Sequence, residues 1–131
     1  MSQENVEIVR RIYEVLNSER SLPPELFALD CMTDLRDASP GGDVLHGIDA
    51  MQQALGAYFE TFDDFHVAAE VLGADDCHVI TAIRDGGRIK GSSAEIWSNY
   101  FHIWTLRDGK VARLSSHTER ATAFKAVGLE E

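Results

Sequence analysis

Cysteine, positive charge and long apolar runs are scarce in this chain, and each shortage closes off a class of function. The two cysteines, Cys31 and Cys77, stand far apart with no Cys-x-x-Cys spacing. Neither a disulfide framework nor a thiolate metal knot is expected, and both read as free, buried thiols of a cytoplasmic protein. Lysine and arginine total 12 against 22 aspartates and glutamates, a net charge of −10. A surface that acidic repels phosphate backbones, which argues against nucleic acid as a partner. No apolar run approaches the roughly 20 residues that a membrane-spanning helix needs. The opening MSQENVEIVRR lacks the apolar stretch of a signal peptide. A phosphate-cradling glycine loop, a nucleophile elbow and a Cys/His nucleophile are also missing. Five histidines, His46, His66, His78, His102 and His117, show no metal-ligand spacing. His66 and His78 meeting across neighbouring strands would supply only two ligands, so neither metal nor cofactor is expected.

What the chain does have is alternation. At 131 residues, with 44% apolar and 26% charged residues, it has the size and make-up of one soluble domain, residues 1–131. The stretch Ser98–Glu119, SNYFHIWTLRDGKVARLSSHTE, reads as two strands joined at Asp108-Gly109. Asp-Gly between apolar runs suits a type I′ turn, whose central residues both need positive φ. On the first strand Tyr100, His102 and Trp104 share one face, and Phe101 and Ile103 share the other. On the second strand Leu114, Ser116 and Thr118 lie opposite His117. A titratable ring among aromatics, His102, is the first place to look for chemistry.

The remaining elements follow from periodicity. Val6, Val9, Ile12/Tyr13 and Leu16 recur at helical spacing, giving a helix from Gln3 to about Ser18. Pro23-Pro24 suits a short helix over Pro24–Leu29, and Met32–Arg36 a short strand ending at Asp37. The loosest segment, Ala38–Asp43, reads as a loop. Gly47 to Phe62 repeats the helical pattern. Period two then takes over from Phe65 to Val71 and in Cys77–Arg84, Ser93–Leu106 and Lys110–Thr118. Asp85-Gly86-Gly87 reads as the end of the second of these strands, with Arg84 inward and Asp85 pointing the other way. A terminal helix over Thr118–Val127 is expected to turn Ala121 and Phe124 inward and to stop at Gly128. Helices first and a meander after make an α+β pattern. A curved sheet folded over its helices encloses a cavity, and the apolar residues on its outer face, Phe101 and Ile103, need cover.

Three segments resemble a known family: MSQENVEIVRRIYEVLN at the start, HGIDAMQQAL in the middle and HIWTLRDGKVARL near the end. Together they look like the SnoaL-like, ketosteroid isomerase-like branch of the nuclear transport factor 2-like superfamily. The resemblance spans nearly the whole chain. It implies a cone-shaped, curved antiparallel sheet wrapped around helices, the cystatin-like α+β roll. It also implies a homodimer formed through the sheet face.

The resemblance further implies the chemistry. Ketosteroid isomerases pair a carboxylate base with an oxyanion hole made by a protonated acid and a tyrosine, the acid being kept neutral by its apolar surroundings. Carried over by motif, the base falls on Asp37, the acid's position on His102 and the tyrosine's on Ile12, with Tyr13 turned about 100° around the helix. SnoaL-type cyclases similarly move a proton with an acidic residue and a histidine, without metal or cofactor. The expected catalytic pair is therefore Asp37 and His102. The expected ligand-binding residues are Tyr13, Tyr58, Trp97, Tyr100, Trp104 and Ser116. The substrate class is a small apolar molecule that an isomerase, cyclase or lyase rearranges by acid–base chemistry. The alternative is a non-catalytic, ligand-binding dimer on the same fold. Each residue also has a plain structural reading: Asp37 as a loop cap, His102 as a core histidine, the aromatics as packing. The Asp-Arg-Asp arrangement of the superfamily's epoxide hydrolases is poorly matched by Arg84 and Asp85.

Overall fold

The structure is a computed structural model that describes residues 2–38 and 41–130. Helix α1 (Ser2–Glu19) leads through a 3-10 turn at Pro24–Leu26 into β1 (Phe27–Asp34) and β2 (Val44–His46). Helix α2 (Ile48–Phe59) precedes four long strands, β3 (Phe62–Ala74), β4 (His78–Ile89), β5 (Glu95–Arg107) and β6 (Lys110–His117). Helix α3 (Arg120–Ala126) closes the chain. The six strands form one sheet in the order β2-β1-β6-β5-β4-β3. Its curved, unclosed surface holds α1 and α2 in its concave side, the expected α+β cone. Among the described residues no helix is long and apolar enough to cross a membrane.

Several local expectations change. The sheet is mixed, because β1 runs parallel to β6 while the other neighbours are antiparallel. The short helix expected to run to Leu29 stops at Leu26, because Phe27 already pairs with Val111 of β6. A register shift follows before Met32 pairs with Arg113, and at this bulge Leu29 is 99% exposed. The third change concerns β4, which continues past Arg84 to Ile89. Gly86 and Gly87 take φ of 147° and 151°. A Cβ on either would stand 1.9 Å from a backbone oxygen, of Ile96 or of Asp64. These glycines let β4 run tightly between β3 and β5 and do not end it. The loop reading of Ala38–Asp43 includes residues 39 and 40, outside the described residues.

The β5–β6 hairpin forms as expected. Asp108 and Gly109 have φ of 53° and 77°, and Arg107 pairs with Lys110. On the concave face, Val9, Ile12 and Leu16 of α1 pack with Val79, Ile83, Trp104, Val111 and Leu114. Each such side chain stabilises the fold by about 1.5–3 kcal/mol when fully buried. The convex face carries a second, smaller core. Ile80 and Ile103 are buried against Ala123 and Phe124 of α3, with Phe101 packed alongside. Ala123, not the expected Ala121, completes the inward face of α3. The chain's own α3 therefore supplies much of the cover that Ile103 needs.

Candidate functional site

Alternation along β4 points Thr81, Ile83 and Asp85 into the cone and Ala82 and Arg84 out of it. Asp85 is 2% exposed and lines a cavity of about 510 Å³, together with Tyr13, Tyr58, Tyr100, His102, Trp104 and Ser116. Residues of α2, Met51, Ala54 and Leu55, form an apolar wall. Two polar clusters stand in this cavity.

The first is centred on Asp85. Tyr58 donates its hydroxyl to one carboxylate oxygen at 2.9 Å, and Tyr100 donates to the other. Burial pushes the carboxyl above its usual range, and the two tyrosine hydrogen bonds partly offset that. Both phenols are raised by burial and by the neighbouring carboxylate, so they stay protonated donors.

The second is centred on the Tyr13 hydroxyl, which meets Thr81 Oγ1 at 2.8 Å, His102 Nδ1 at 2.7 Å and Trp104 Nε1 at 2.9 Å. A phenol has one proton to give and two lone pairs. If Tyr13 donates to His102 and accepts from Thr81 and Trp104, every donor that reaches this hydroxyl is used. The reverse leaves the buried Thr81 hydroxyl proton without an acceptor, which costs about 1–3 kcal/mol. The satisfied arrangement makes His102 the Nε2–H tautomer. Burial, with a smaller push from His117, lowers the His102 pKa to about 3, so the ring is neutral. A neutral Nε2–H is a hydrogen-bond donor, and Nε2 has no protein partner among the described residues. The His102 ring lies against Tyr100, centroids 5.1 Å apart, and Tyr100 in turn bonds Asp85. Thr33 also lines the cavity, and its Oγ1 is the buried side-chain polar atom with no hydrogen-bond partner among the described residues.

Tyr13, Tyr58, Tyr100, His102, Trp104 and Ser116 thus share one cavity. Two expected residues stand elsewhere. Asp37 is about half exposed and lies in a second, more open depression with Asp34, Arg36, His117 and Ser116, the last of which also borders the cavity; its carboxylate is 2.7 Å from His117 Nδ1. The structure does not bring Asp37 and His102 together. His117 Nε2 also meets Ser115 Oγ at 2.9 Å. That connectivity matches a nucleophilic triad, but Ser115 is 6% exposed and does not line the depression. Trp97 lies outside the cavity lining: its ring stacks under Arg84, whose guanidinium is 4.5 Å from the centroid, and its Nε1 donates to Glu95. Arg84 therefore faces out and Asp85 in, the reverse of the expected facing. His66 pairs with Gly86 and His78 with Thr105, so those two histidines do not meet. Cys31 is buried as expected, whereas Cys77 is exposed.

Sequence reasoning missed Asp85 because two glycines after a strand read as a turn. A signal was present: continuing the alternation of Val79, Thr81 and Ile83 by one step lands on Asp85. Tyr13 reaches the cavity beside Ile12 because the buried stripe of α1 is wide enough for both.

Comparison with curated proteins by sequence gives no significant match. Among solved structures, a phenazine biosynthesis-related protein from Pseudomonas aeruginosa superposes with a TM-score of 0.72 at 21% identity, over 98% of this chain and 88% of its own. A candidate SnoaL-like polyketide cyclase from a Jannaschia species gives 0.75 at 18% identity, over 99% and 95%. A protein of ketosteroid isomerase-like fold from Catenulispora acidiphila, solved with trimethylamine, gives 0.70 at 17% identity, over 95% and 94%. At such identities these likenesses establish the fold alone. Residues 9–114, from the middle of α1 to β6, match the model of the SnoaL-like domain. The chain belongs to the SnoaL-like domain family.

Proposed function

We propose that this protein is a cofactor-free proton-transfer enzyme, an isomerase, cyclase or lyase, acting on a small, largely apolar carbonyl compound. The observation that carries the reading is a buried carboxylate, Asp85, facing the same cavity as a neutral histidine, His102. Asp85 takes a proton from a carbon next to the carbonyl. His102 Nε2–H donates to the oxygen as negative charge develops there, and Tyr13 holds the ring in that tautomer. Asp85 then returns the proton at a second carbon, so no net acid or base is consumed. The raised pKa of Asp85 suits a base that must also give its proton back. This assigns the base role to Asp85 in place of Asp37. The apolar wall from α2 and the rings of Tyr58, Tyr100 and Trp104 supply the surface for a fused-ring body.

The test is exchange of the α-protons of 2-tetralone with deuterated water, followed by NMR. The wild-type chain accelerates exchange, and Asp85→Asn lowers the rate by about 10²–10⁴-fold. Unchanged exchange in Asp85→Asn sinks the assignment.

A second reading, ligand binding without catalysis, is favoured by the two tyrosines that already occupy both oxygens of Asp85. It predicts saturable binding of 2-naphthol, read by fluorescence, with no exchange activity in any variant. Assembly as a homodimer through the convex face is part of either reading. Half-buried Phe101 on that face supports it, and light scattering on the purified chain tests it.

A further inference from the structure

The turn between β3 and β4 gathers three different donors outside the cavity. His78 Nδ1 lies 3.1 and 3.2 Å from the two oxygens of Asp75 and 3.4 Å from Cys77 Sγ. The ligand atoms of the three residues all fall within 4.8 Å of one another. A tetrahedral Zn²⁺ holds N and O at about 2.0–2.1 Å and S at about 2.3 Å. Those bond lengths place neighbouring ligands roughly 3.3 Å apart for N to O and roughly 3.5 Å for N to S. The N–O and N–S separations are therefore close to two edges of a zinc tetrahedron, and the O–S edge lies within 4.8 Å.

The turn is also held in place before any ion arrives. Asp75 Oδ1 accepts the backbone N–H groups of Cys77 and His78 at 2.9 and 2.8 Å, which fixes the carboxylate. Asn5 of α1 donates to the Asp76 carbonyl, and Leu106 of β5 donates to the Cys77 carbonyl. Cys77 is exposed, so an ion can enter from solvent.

We propose that Asp75, Cys77 and His78 form a binding site for a borderline-soft divalent cation, Zn²⁺, with the fourth position open to water. A thiolate, an imidazole and a carboxylate on one ion suit zinc and argue against Mg²⁺ or Ca²⁺, which take oxygen ligands. Three protein ligands with an open fourth position is also the donor count of reactive zinc sites. The ion would tie Asp75, Cys77 and His78 together across the β3–β4 turn.

Cobalt substitution of the full reduced chain tests this. Co²⁺ added to the wild type is expected to produce a thiolate charge-transfer band with tetrahedral visible bands, at one ion per chain, and Zn²⁺ is expected to bleach them. Cys77→Ser abolishes the charge-transfer band, while Cys31→Ser keeps it. Asp75→Asn and His78→Ala each weaken Zn²⁺ binding by at least about tenfold, measured by competition with a chromogenic chelator. Circular dichroism confirms that each variant is folded. No band at saturating Co²⁺, a band that survives Cys77→Ser, or Zn²⁺ affinity unmoved by both Asp75→Asn and His78→Ala overturns the proposal.

Discussion

His102 and His117 stand on adjacent strands of one sheet and live under opposite conditions. In the β5–β6 register His102 pairs with Ser116, and His117 pairs with Phe101. One step along β6 therefore separates the concave face from the convex face. His102 has aromatic neighbours, no carboxylate partner among the described residues and a pKa pushed down to about 3. His117 has Asp37 at 2.7 Å, at the rim of an open depression. An Asp–His pair in a sequence suggests a catalytic dyad, yet the close pair here lies outside the cavity. Inside it, acid and histidine each have tyrosine partners of their own. Burial, more than proximity of the two residue types, sets which histidine can polarise a substrate.

The sharpest way to break this comparison is to exchange the acids. Asp85→Asn is expected to reduce α-proton exchange by about 10²–10⁴-fold, whereas Asp37→Asn leaves it within about twofold. The reverse ranking, measured by the same NMR assay, would return the base role to the convex face.

Next in size is His102→Phe, which leaves Tyr13 without its acceptor. It is expected to cost about 1–3 kcal/mol in urea unfolding and to slow exchange, with ligand affinity changed less than rate.

The pH dependence of stability reports on His102 more gently. Folded His102 has a pKa near 3 against the ordinary value of 6.5. Between those values the unfolded chain binds the extra proton, so stability falls as pH drops from about 6.5 towards 3. Above 6.5 this contribution is complete and flat. Asp85 acts in the opposite sense: its carboxyl is raised above 3.8, so its contribution weakens as pH rises from that value. Thermal unfolding across pH 4–8 is expected to show a shallower acid slope in His102→Phe than in the wild type. An identical slope would mean that His102 is not kept neutral by burial.

Smallest of all is His117→Ala. His117 is mostly buried and meets a half-exposed carboxylate, and a hydrogen bond of that kind contributes about 0.5–1.5 kcal/mol, so unfolding midpoints and exchange rates should both stay close to wild type. A loss above about 2 kcal/mol in urea would show that the convex contact holds the sheet together.

Much of the fold is legible in the sequence, and the reasons are local. Asp108-Gly109 forces a turn by its own φ preferences, and the alternation of Tyr100, His102 and Trp104 then points all three inward. The less legible parts depend on partners far along the chain. The parallel pairing of Phe27 with Val111 shortens the expected helix. The strand β2 covers only Val44–His46, too short to display a period. For the site, the aromatic lining and His102 follow from alternation, but Asp85 does not. Its visibility depends on recognising Gly86 and Gly87 as a tight passage between strands, and that crowding is created by Ile96 and Asp64 from elsewhere in the chain.

Those two glycines also set how the pocket can be remodelled. Any side chain introduced immediately after the acid would strike a neighbouring strand's backbone, so β4 offers little freedom for variation beside Asp85. The α2 wall is under no such restriction, and Met51, Ala54 and Leu55 can change size on a helix that packs by side chains alone. Libraries that seek a new substrate range should therefore vary α2 and leave Asp85-Gly86-Gly87 intact. Within such a library the reactive group stays constant while the shape of what it can reach is altered.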